Sequence, residues 1–301
     1  RFAPGLAPAI SHTTITIAVV RVDFPDRPMT KTLAETEALF SKFTTYYLEN
    51  SYNKCFFKVI ISTGGAGGNG AFRMPRPMST GTSNYAKGTS SDYGGLLIDA
   101  ISVSTTTGFK PSVQGVLIYH AGEGAETAVD SSKYIWSMAR YDLSVAFVPE
   151  LEFSSIDPLG TICHETGHLF GLPDLYNTIT GKSAVGDWSL MDGGGYSGTP
   201  QGSNPAHLDP WSKQFLGFSA PQTLPVSASI STAVVVSELT RNGFLKIPIH
   251  VSDVGGTKEY FLLEYRSTSA AKYDTSLPGQ DCLYGTLTTI WHLTRLCFTI
   301  T

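Results

Sequence analysis

The sequence HETGHLFGLPD, at residues 164–174, lies between a helix-start signal and a helix-stop signal. Asp157 can cap free backbone N–H groups, and Pro158 suits the first position of a helix. Gly171 and Pro173 are typical of residues that end one. We therefore predict a helix that begins near residue 157 and ends near residue 171.

The spacing of apolar residues predicts which face of this helix is buried. At 100° per residue, six residues fall on one stripe of the helix surface: Leu159, Ile162, Cys163, Thr166, Leu169 and Phe170. His164 and His168 fall on the opposite side. The stripe is expected to pack on the core, with Cys163 as a small apolar residue, and the two histidines are expected to face away from it.

The two histidines have the spacing of metal ligands. Four residues apart on a helix, His164 and His168 lie one turn from each other on one face, which suits two nitrogen ligands of a tetrahedral zinc ion. Glu165 on the flank can reach a water molecule on the metal and act as general base and then general acid. A purely structural zinc site is the alternative, but such sites are closed by four protein ligands and usually contain Cys. The pattern therefore predicts a catalytic zinc centre.

The third metal ligand is predicted to be Asp174. Gly171 can adopt positive φ and turn the chain sharply beneath the metal, which returns residue 174 towards the zinc, as in HExxHxxGxxH with Asp in place of the last His. A Glu from a following helix is disfavoured, because no Glu occurs between Glu165 and Glu238. The lesser candidates are other aspartates downstream: Asp187, Asp192 and Asp209.

Two residues of the segment DWSLMDGGGY are further candidates. Met191 is predicted to form a hydrophobic turn under the zinc site, although a lone Met is more often core filler. Tyr196 is predicted to donate a hydrogen bond to the oxyanion of the reaction, and a surface tyrosine in a Gly-rich loop is the alternative.

The composition limits the classes of partner. The 301 residues are 42% hydrophobic and 15% charged, with a net charge of -4, and no block of basic residues occurs. We therefore expect a globular protein with no nucleic-acid partner. No apolar run approaches the roughly 20 residues of a membrane span, so none is expected. The four cysteines lack CxxC spacing, which excludes the usual structural zinc motif.

Alternating and helical patterns predict further elements. Residues 14–22, 55–62 and 113–119 are predicted strands, and residues 32–48 are a predicted helix. Residues 221–265 are rich in Val, Ile, Thr and Ser, carry an Asn242-Gly243 hairpin signal, and have no helical periodicity. This part of the chain is predicted to be β-rich.

Seven blocks extend the match beyond one motif. They are AVVRVDFPD (18–26), YYLENSY (46–52), YHAGEGAE (119–126), IWSM (135–138), HETGHLFGLPDLYN (164–177), VGDWSLMDGGGY (185–196) and PAHLDPWSKQFLGF (205–218). In this order, the blocks resemble the immune inhibitor A family of secreted zinc metallopeptidases, a metzincin-like group.

The resemblance implies a fold, an activity and cofactors. The fold would be α/β (α+β), with a metzincin-like catalytic domain at residues 1–220 and a β-rich accessory region at residues 221–301. The activity would be that of a secreted, pro-segment-activated zinc endopeptidase, acting as a monomer on proteins or peptides. His164, His168 and Asp174 match the family's metal motif and Glu165 its acid/base, while Ca²⁺ is implied as a structural ion.

Both ends of the chain depart from a complete protein of this kind. The N-terminus has neither an initiator Met nor a leader, so we expect an internal start left by processing. After about residue 280 the accessory region is expected to be incomplete or aberrant. Either an insertion precedes the Trp at position 291, or the reading frame has slipped.

Two other functions are compatible with the same residues. One is an inactive zinc-containing binding or adhesion module, against which the intact Glu165 argues. The other is a zinc amidase that acts on a non-protein substrate, which would use the same ligands. For a peptidase, we predict that a free strand edge near residues 116–119 pairs with the substrate backbone.

Overall fold

The chain folds as a mixed α/β protein in a computed structural model, which describes residue 10 and residues 13–223, 244–248, 259–269, 271–279, 281–288 and 292–295. The helices are α1 (Leu33–Asn50), α2 (Tyr93–Thr106), α3 (Leu159–Leu169) and α4 (Pro210–Phe215). The first sheet contains β1 (Thr13–Asp23), β2 (Cys55–Ile61), β3 (Phe72–Arg73), β4 (Gly115–Glu123), β5 (Met138–Arg140) and β6 (Val145–Leu151). The second contains β7 (Gln222–Thr223), β8 (Phe244–Pro248), β9 (Glu259–Arg266), β10 (Asp281–Thr288) and β11 (His292–Arg295).

The first sheet is parallel except for one edge. Its strand order is β2-β1-β4-β6-β5, with β3 beside the end of β1, and only β5 runs antiparallel, against β6. Residues 116–119 of β4 are paired with β1 on one side and with β6 on the other. The predicted free edge near residues 116–119 is therefore wrong. Among the described strands, β5 forms the edge of the sheet beyond β6.

Helices cover both faces of this sheet. Ile118 of β4 is paired with Phe147 of β6, so these side chains share one face and Tyr119 points to the other. The ring of Phe147 lies 5.2 Å from that of Tyr93 in α2. The ring of Tyr119 lies 5.7 Å from that of Phe40 in α1. Helices α1 and α2 thus pack on opposite faces and bury the sheet between them.

Helix α1 confirms the helix predicted for residues 32–48, and a capping box begins it. The side chain of Thr32 accepts a hydrogen bond from the N–H of Glu35, and the Glu35 carboxylate accepts one from the N–H of Thr32. This capping box satisfies two N–H groups that the first turn leaves free. Helix α2 was not predicted, because two glycines and several β-branched residues weaken its helical pattern.

Helix α3 joins the site to the core. It spans Leu159–Leu169, within the limits that the start and stop signals predict. Cys163 is fully buried and free, as expected, and its carbonyl accepts a hydrogen bond from the hydroxyl of Tyr47 in α1. Cys55 is also buried and free. The side chain of Cys282 and all of Cys297 lie outside the described residues.

The second sheet is formed by strands from the C-terminal part of the chain, and the Asn242-Gly243 signal lies outside the described residues. The β-rich accessory region as a domain of its own stays a prediction. Buried charges connect this sheet to the rest of the protein. The Lys213 ammonium in α4 contacts the Glu264 carboxylate in β9 at 2.7 Å, and both side chains are excluded from solvent. Arg266 of β9 pairs with Asp274 in the same setting. In the described part of the chain, no helix combines the length and apolarity that a membrane crossing needs.

Candidate metal centre

Helix α3 brings three candidate ligands together. The Asp174 carboxylate oxygen Oδ1 lies 3.0 Å from Nε2 of His164 and 3.2 Å from Nε2 of His168. Two atoms that each lie about 2.0 Å from one tetrahedral ion are about 3.3 Å apart. The donor set of two imidazole nitrogens and one carboxylate oxygen, and its spacing, therefore fit zinc.

The other ring nitrogens fix how the imidazoles point. Nδ1 of His164 lies 2.9 Å from the carbonyl oxygen of Leu190, and Nδ1 of His168 lies 2.7 Å from that of Leu172. Since a carbonyl only accepts, each Nδ1 must carry the hydrogen and donate it. This directs both Nε2 atoms at the Asp174 carboxylate, and it holds the rings in place.

A tight turn after α3 places Asp174. Gly171 has φ +87°, a conformation that side chains rarely adopt, and the next N–H, of Leu172, donates back to the carbonyl of Gly167. The N–H of Leu175 then donates to the carbonyl of Met191 at 2.8 Å. The carboxylate between these two anchors is directed at the histidines.

The lesser aspartate candidates do not join the group. Asp192 accepts hydrogen bonds from the N–H groups of residues 184, 185, 186 and 193. Asp209 caps α4 through the N–H of Ser212 and also accepts from the hydroxyl of Ser189. Asp187 is exposed. Within the described residues, His164, His168 and Asp174 form the one cluster of three potential metal-binding side chains, so the structure gives no support for calcium.

Met191 lies beneath the metal centre. Its side chain is fully buried, and a Cβ added at Gly167 of α3 would stand 2.8 Å from its sulfur. Only a glycine in the helix leaves room for this close packing. The adjacent carbonyl of Leu190 is the acceptor for His164. The turn therefore supports α3 from below and orients a candidate ligand at the same time.

Burial and neighbouring charges shift the pKa values of Glu165, His168 and Asp174. Glu165 is more than nine-tenths buried, which raises the pKa of its carboxyl against the opposing effect of the two imidazoles. Burial acts to raise the pKa of Asp174 also, but hydrogen bonds from His164 and His168 outweigh it and hold that pKa well below its usual range. Burial acts to lower the pKa of His168, but Asp174 and Glu165 raise it to about 9.

A cavity of about 230 Å³ opens beside His164, one of the three candidate ligands. His164 and Glu165 form part of its wall, and Oε2 of Glu165 has no hydrogen-bond partner among the described residues. Tyr196 lines the same cavity, so the structure brings it to the centre. Tyr176 is also there, with its ring stacked 6.5 Å from that of His164.

Sequence reasoning missed three residues of this wall. Glu126, Trp136 and Ser137 line the cavity, although each lies more than twenty residues before α3 in the sequence. They belong to the blocks YHAGEGAE and IWSM, on which part of the family resemblance depends. Membership in those blocks was the available signal, because nothing in local periodicity relates them to the histidines.

The site lies within a recognisable sequence unit. Residues 116–220, which contain all three candidate ligands, match the sequence model of the immune inhibitor A peptidase M6 catalytic domain. The resemblance to the immune inhibitor A family is confirmed. The part of the chain that resembles this peptidase family thus includes β4, β5, β6, α3 and α4.

Two curated relatives match shorter segments of the chain. The pre-pro-metalloprotease PrtV of Vibrio cholerae serotype O1 is 35% identical over 101 residues, which are 33% of this chain and 10% of PrtV. Immune inhibitor A of Bacillus thuringiensis subsp. alesti is 41% identical over 59 residues, which are 19% of this chain and 9% of that protein. The matches thus span about a tenth of the length of these relatives. Wild type OgpA from Akkermansia muciniphila has a crystal structure that aligns with a TM-score of 0.46 and 14% identity, over 96% of this chain and 84% of that one.

Proposed function

We propose that the protein is a zinc-dependent endopeptidase whose metal ligands are His164, His168 and Asp174. The observation that carries this proposal is the geometry of the ligand group. Two Nε2 atoms meet one carboxylate oxygen at 3.0 and 3.2 Å, while both Nδ1 atoms are committed to backbone carbonyls. The match to a peptidase family and the description of PrtV as a metalloprotease support the same activity.

Glu165 is the proposed general base and general acid. Glu165 lines the cavity, and its Oε2 has no hydrogen-bond partner among the described residues, so this atom can accept a hydrogen bond from a water molecule. Zinc in such a site acts as a Lewis acid and makes water acidic enough to lose a proton near neutral pH. Glu165 takes that proton as the peptide carbonyl is attacked, and then donates it to the leaving amine. Burial, which raises the pKa of this carboxyl, suits it to both steps.

Tyr196 is the proposed donor to the oxyanion. Burial and the nearby carboxylates raise the pKa of its hydroxyl, so the hydroxyl keeps its proton and can donate a hydrogen bond. Tyr176 is the competing donor in the cavity, and burial and Asp174 raise its pKa in the same direction. We assign the role to Tyr196 because Tyr176 stacks on His164, so that its ring helps to hold a ligand.

We further propose that the protein is secreted and made as a precursor. The name of PrtV describes a pre-pro-protein, and the immune inhibitor A resemblance implies the same route. The substrates would be proteins or peptides, and the chain would act as a monomer.

The test separates metal binding from turnover. Zinc-loaded protein is incubated with casein, and the zinc content is measured in parallel. We expect cleavage by the wild type, loss of cleavage with a chelator, and recovery on adding zinc. Glu165→Gln should keep the zinc and lose cleavage, whereas Asp174→Asn should lose zinc affinity by about 10-fold or more.

The matched control is Asp187→Asn, which neutralises an exposed aspartate outside the ligand group and should keep both zinc and cleavage. Folded, zinc-loaded wild type that leaves casein intact would overturn the peptidase proposal and favour a binding module or an amidase. Full zinc affinity in Asp174→Asn would overturn the ligand assignment.

A further inference from the structure

The cavity beside the metal centre contains a group of side chains for which the proposed reaction has no use. Glu126, Trp136 and Ser137 are part of its wall, and Glu152 lies close enough to Glu126 for the charge of Glu126 to raise its pKa. The contacts of these side chains indicate which kind of substrate side chain the cavity binds.

The fold explains why the two glutamates meet. Glu126 follows β4 and Glu152 follows β6, and these neighbouring parallel strands remain paired up to Glu123 and Leu151. The carboxyl ends of parallel strands lie at one edge of the sheet. Glu126 is half-buried and reaches the cavity, whereas Glu152 is only 4% exposed.

Glu152 is anchored in the wall. Its two carboxyl oxygens accept hydrogen bonds from the hydroxyls of Thr161 and Thr127, at 2.9 and 2.8 Å. Burial, followed by the charge of Glu126, raises the pKa of Glu152 to about 8. The hydroxyls of Thr161 and Thr127 hold Glu152 within the wall, so Glu126 is the member of the pair whose side chain reaches the cavity.

Glu126 and Trp136 are both held in place. The backbone N–H of Ser137 donates to Oε2 of Glu126 at 3.1 Å, and the Ser137 hydroxyl donates to Oε1. The hydroxyl of Tyr93 donates to the carbonyl of Trp136 at 2.9 Å. The indole of Trp136 is nevertheless 36% exposed, which is a high value for so large an apolar side chain. A carboxylate held by two hydrogen bonds and a partly exposed aromatic side chain thus lie in one wall.

The lining of the cavity is rich in acidic side chains. Three carboxylates line it, those of Glu126, Glu165 and Asp192, and none of the described lining residues is Lys or Arg. Asp192 is occupied by backbone N–H groups of its own loop. Glu165 is more than nine-tenths buried, and its Oε2 has no hydrogen-bond partner among the described residues. Besides the proposed zinc ion at His164, the charges that line the cavity are carboxylates, so a positively charged group is favoured at Glu126.

We propose that this part of the cavity is a substrate subsite for a basic side chain, Lys or Arg, next to the scissile bond. The aliphatic stem lies on the indole of Trp136, and the cationic head bonds to the carboxylate of Glu126. The inference rests on the proposed peptidase function, because it assigns a specificity to the same site.

The test is a set of matched fluorogenic peptides in which one Lys is moved through three positions on each side of the scissile bond, with norleucine in its place as reference. At one position we expect Lys to be favoured over norleucine by about tenfold in kcat/KM, the effect of one charged hydrogen bond. Glu126→Gln, which keeps the shape of the side chain, should reduce this ratio to near one. Trp136→Leu keeps the charge and should reduce the ratio partly.

A matched control removes one negative charge elsewhere. Glu37→Gln changes an exposed carboxylate on α1 that does not line the cavity, and it should leave the ratio as in the wild type. If Glu37→Gln lowers the ratio as much as Glu126→Gln does, the preference comes from net charge and the subsite is refuted.

A binding experiment tests the subsite independently of the proposed peptidase activity. Zinc-loaded Glu165→Ala protein is titrated calorimetrically with the best Lys peptide and with its norleucine counterpart. Selective binding of the Lys peptide without cleavage of any peptide by the wild type would support the subsite and overturn the peptidase. Cleavage of the peptides with no preference for Lys at any position would overturn the subsite and leave the peptidase in place.

Discussion

The guanidinium of Arg266 in β9 donates a hydrogen bond to the backbone carbonyl of Trp188 at 3.0 Å. Two residues further on, the carbonyl of Leu190 accepts the hydrogen bond that orients His164. The second sheet therefore contacts the segment that supports the metal centre. Since Arg266 also pairs with Asp274 in full burial, this contact is part of a rigid charged network.

Removal of Arg266 tests that network. Arg266→Met leaves Asp274 buried without its main partner, so we expect a loss of about 3–5 kcal/mol in the free energy of unfolding, measured by denaturant titration. Because the carbonyl of Trp188 also loses its donor, zinc affinity should fall, as read by chelator competition on the folded protein.

The control for Arg266 is Lys213→Met, which breaks the other buried ion pair with β9 but touches no residue of the 188–191 segment. It should lower stability and retain zinc affinity. Equal losses of zinc affinity in the two variants would show that the network acts through overall stability alone.

Gly171 offers a test of the turn that places Asp174. Gly171→Ala forces a side chain into φ +87°, so we expect a loss of about 1–2 kcal/mol in the free energy of unfolding, together with weaker zinc binding. Gly94→Ala in α2 is the matched change, because a Cβ there meets no atom within 4 Å and its φ is negative. That variant should gain about 0.5–1 kcal/mol. A Gly171→Ala protein as stable as wild type would contradict the proposed strain.

The two tyrosines of the cavity can be distinguished by kinetics. If Tyr196 donates to the oxyanion, Tyr196→Phe should lower kcat by about 10²-fold with little change in KM. Tyr176→Phe keeps the ring that stacks on His164, so its kcat should fall far less. The larger loss in Tyr176→Phe would reverse the assignment.

The raised pKa of Glu152 predicts that the stability of the folded protein depends on pH. Its pKa in the folded protein is raised to about 8 from an ordinary value of 4.5, so between these values the folded state holds a proton that the unfolded chain has released. The resulting stabilisation is complete below pH 4.5, declines as pH rises and is lost above about 8. Its size is on the order of a few kcal/mol.

Thermal unfolding across pH 5–9 measures this effect. Glu152→Gln, which cannot titrate, should flatten that part of the profile, whereas Glu37→Gln on the exposed face of α1 should leave it unchanged. A Glu152→Gln profile with the same slope as the wild type would show that another group is responsible.

The sequence by itself determined helix α3, which carries two of the proposed metal ligands, and the turn that follows it. A helix fixes the directions of residues three and four apart, so the apolar stripe and the positions of His164 and His168 followed from spacing. The positive φ of Gly171 and the capping box at Thr32 are local in the same sense. Each depends on a stretch of chain shorter than about ten residues.

Only the tertiary structure decided what surrounds that helix. Strand periodicity shows that residues 115–123 are extended but not which strands flank them, and β4 proved to be paired on both sides. Glu126 and Glu152 meet because their strands are neighbours, and Arg266 reaches Trp188 across 78 positions of sequence. Such contacts depend on the pairing of strands and the packing of helices on the sheet, and these are set by the chain as a whole rather than by any local pattern.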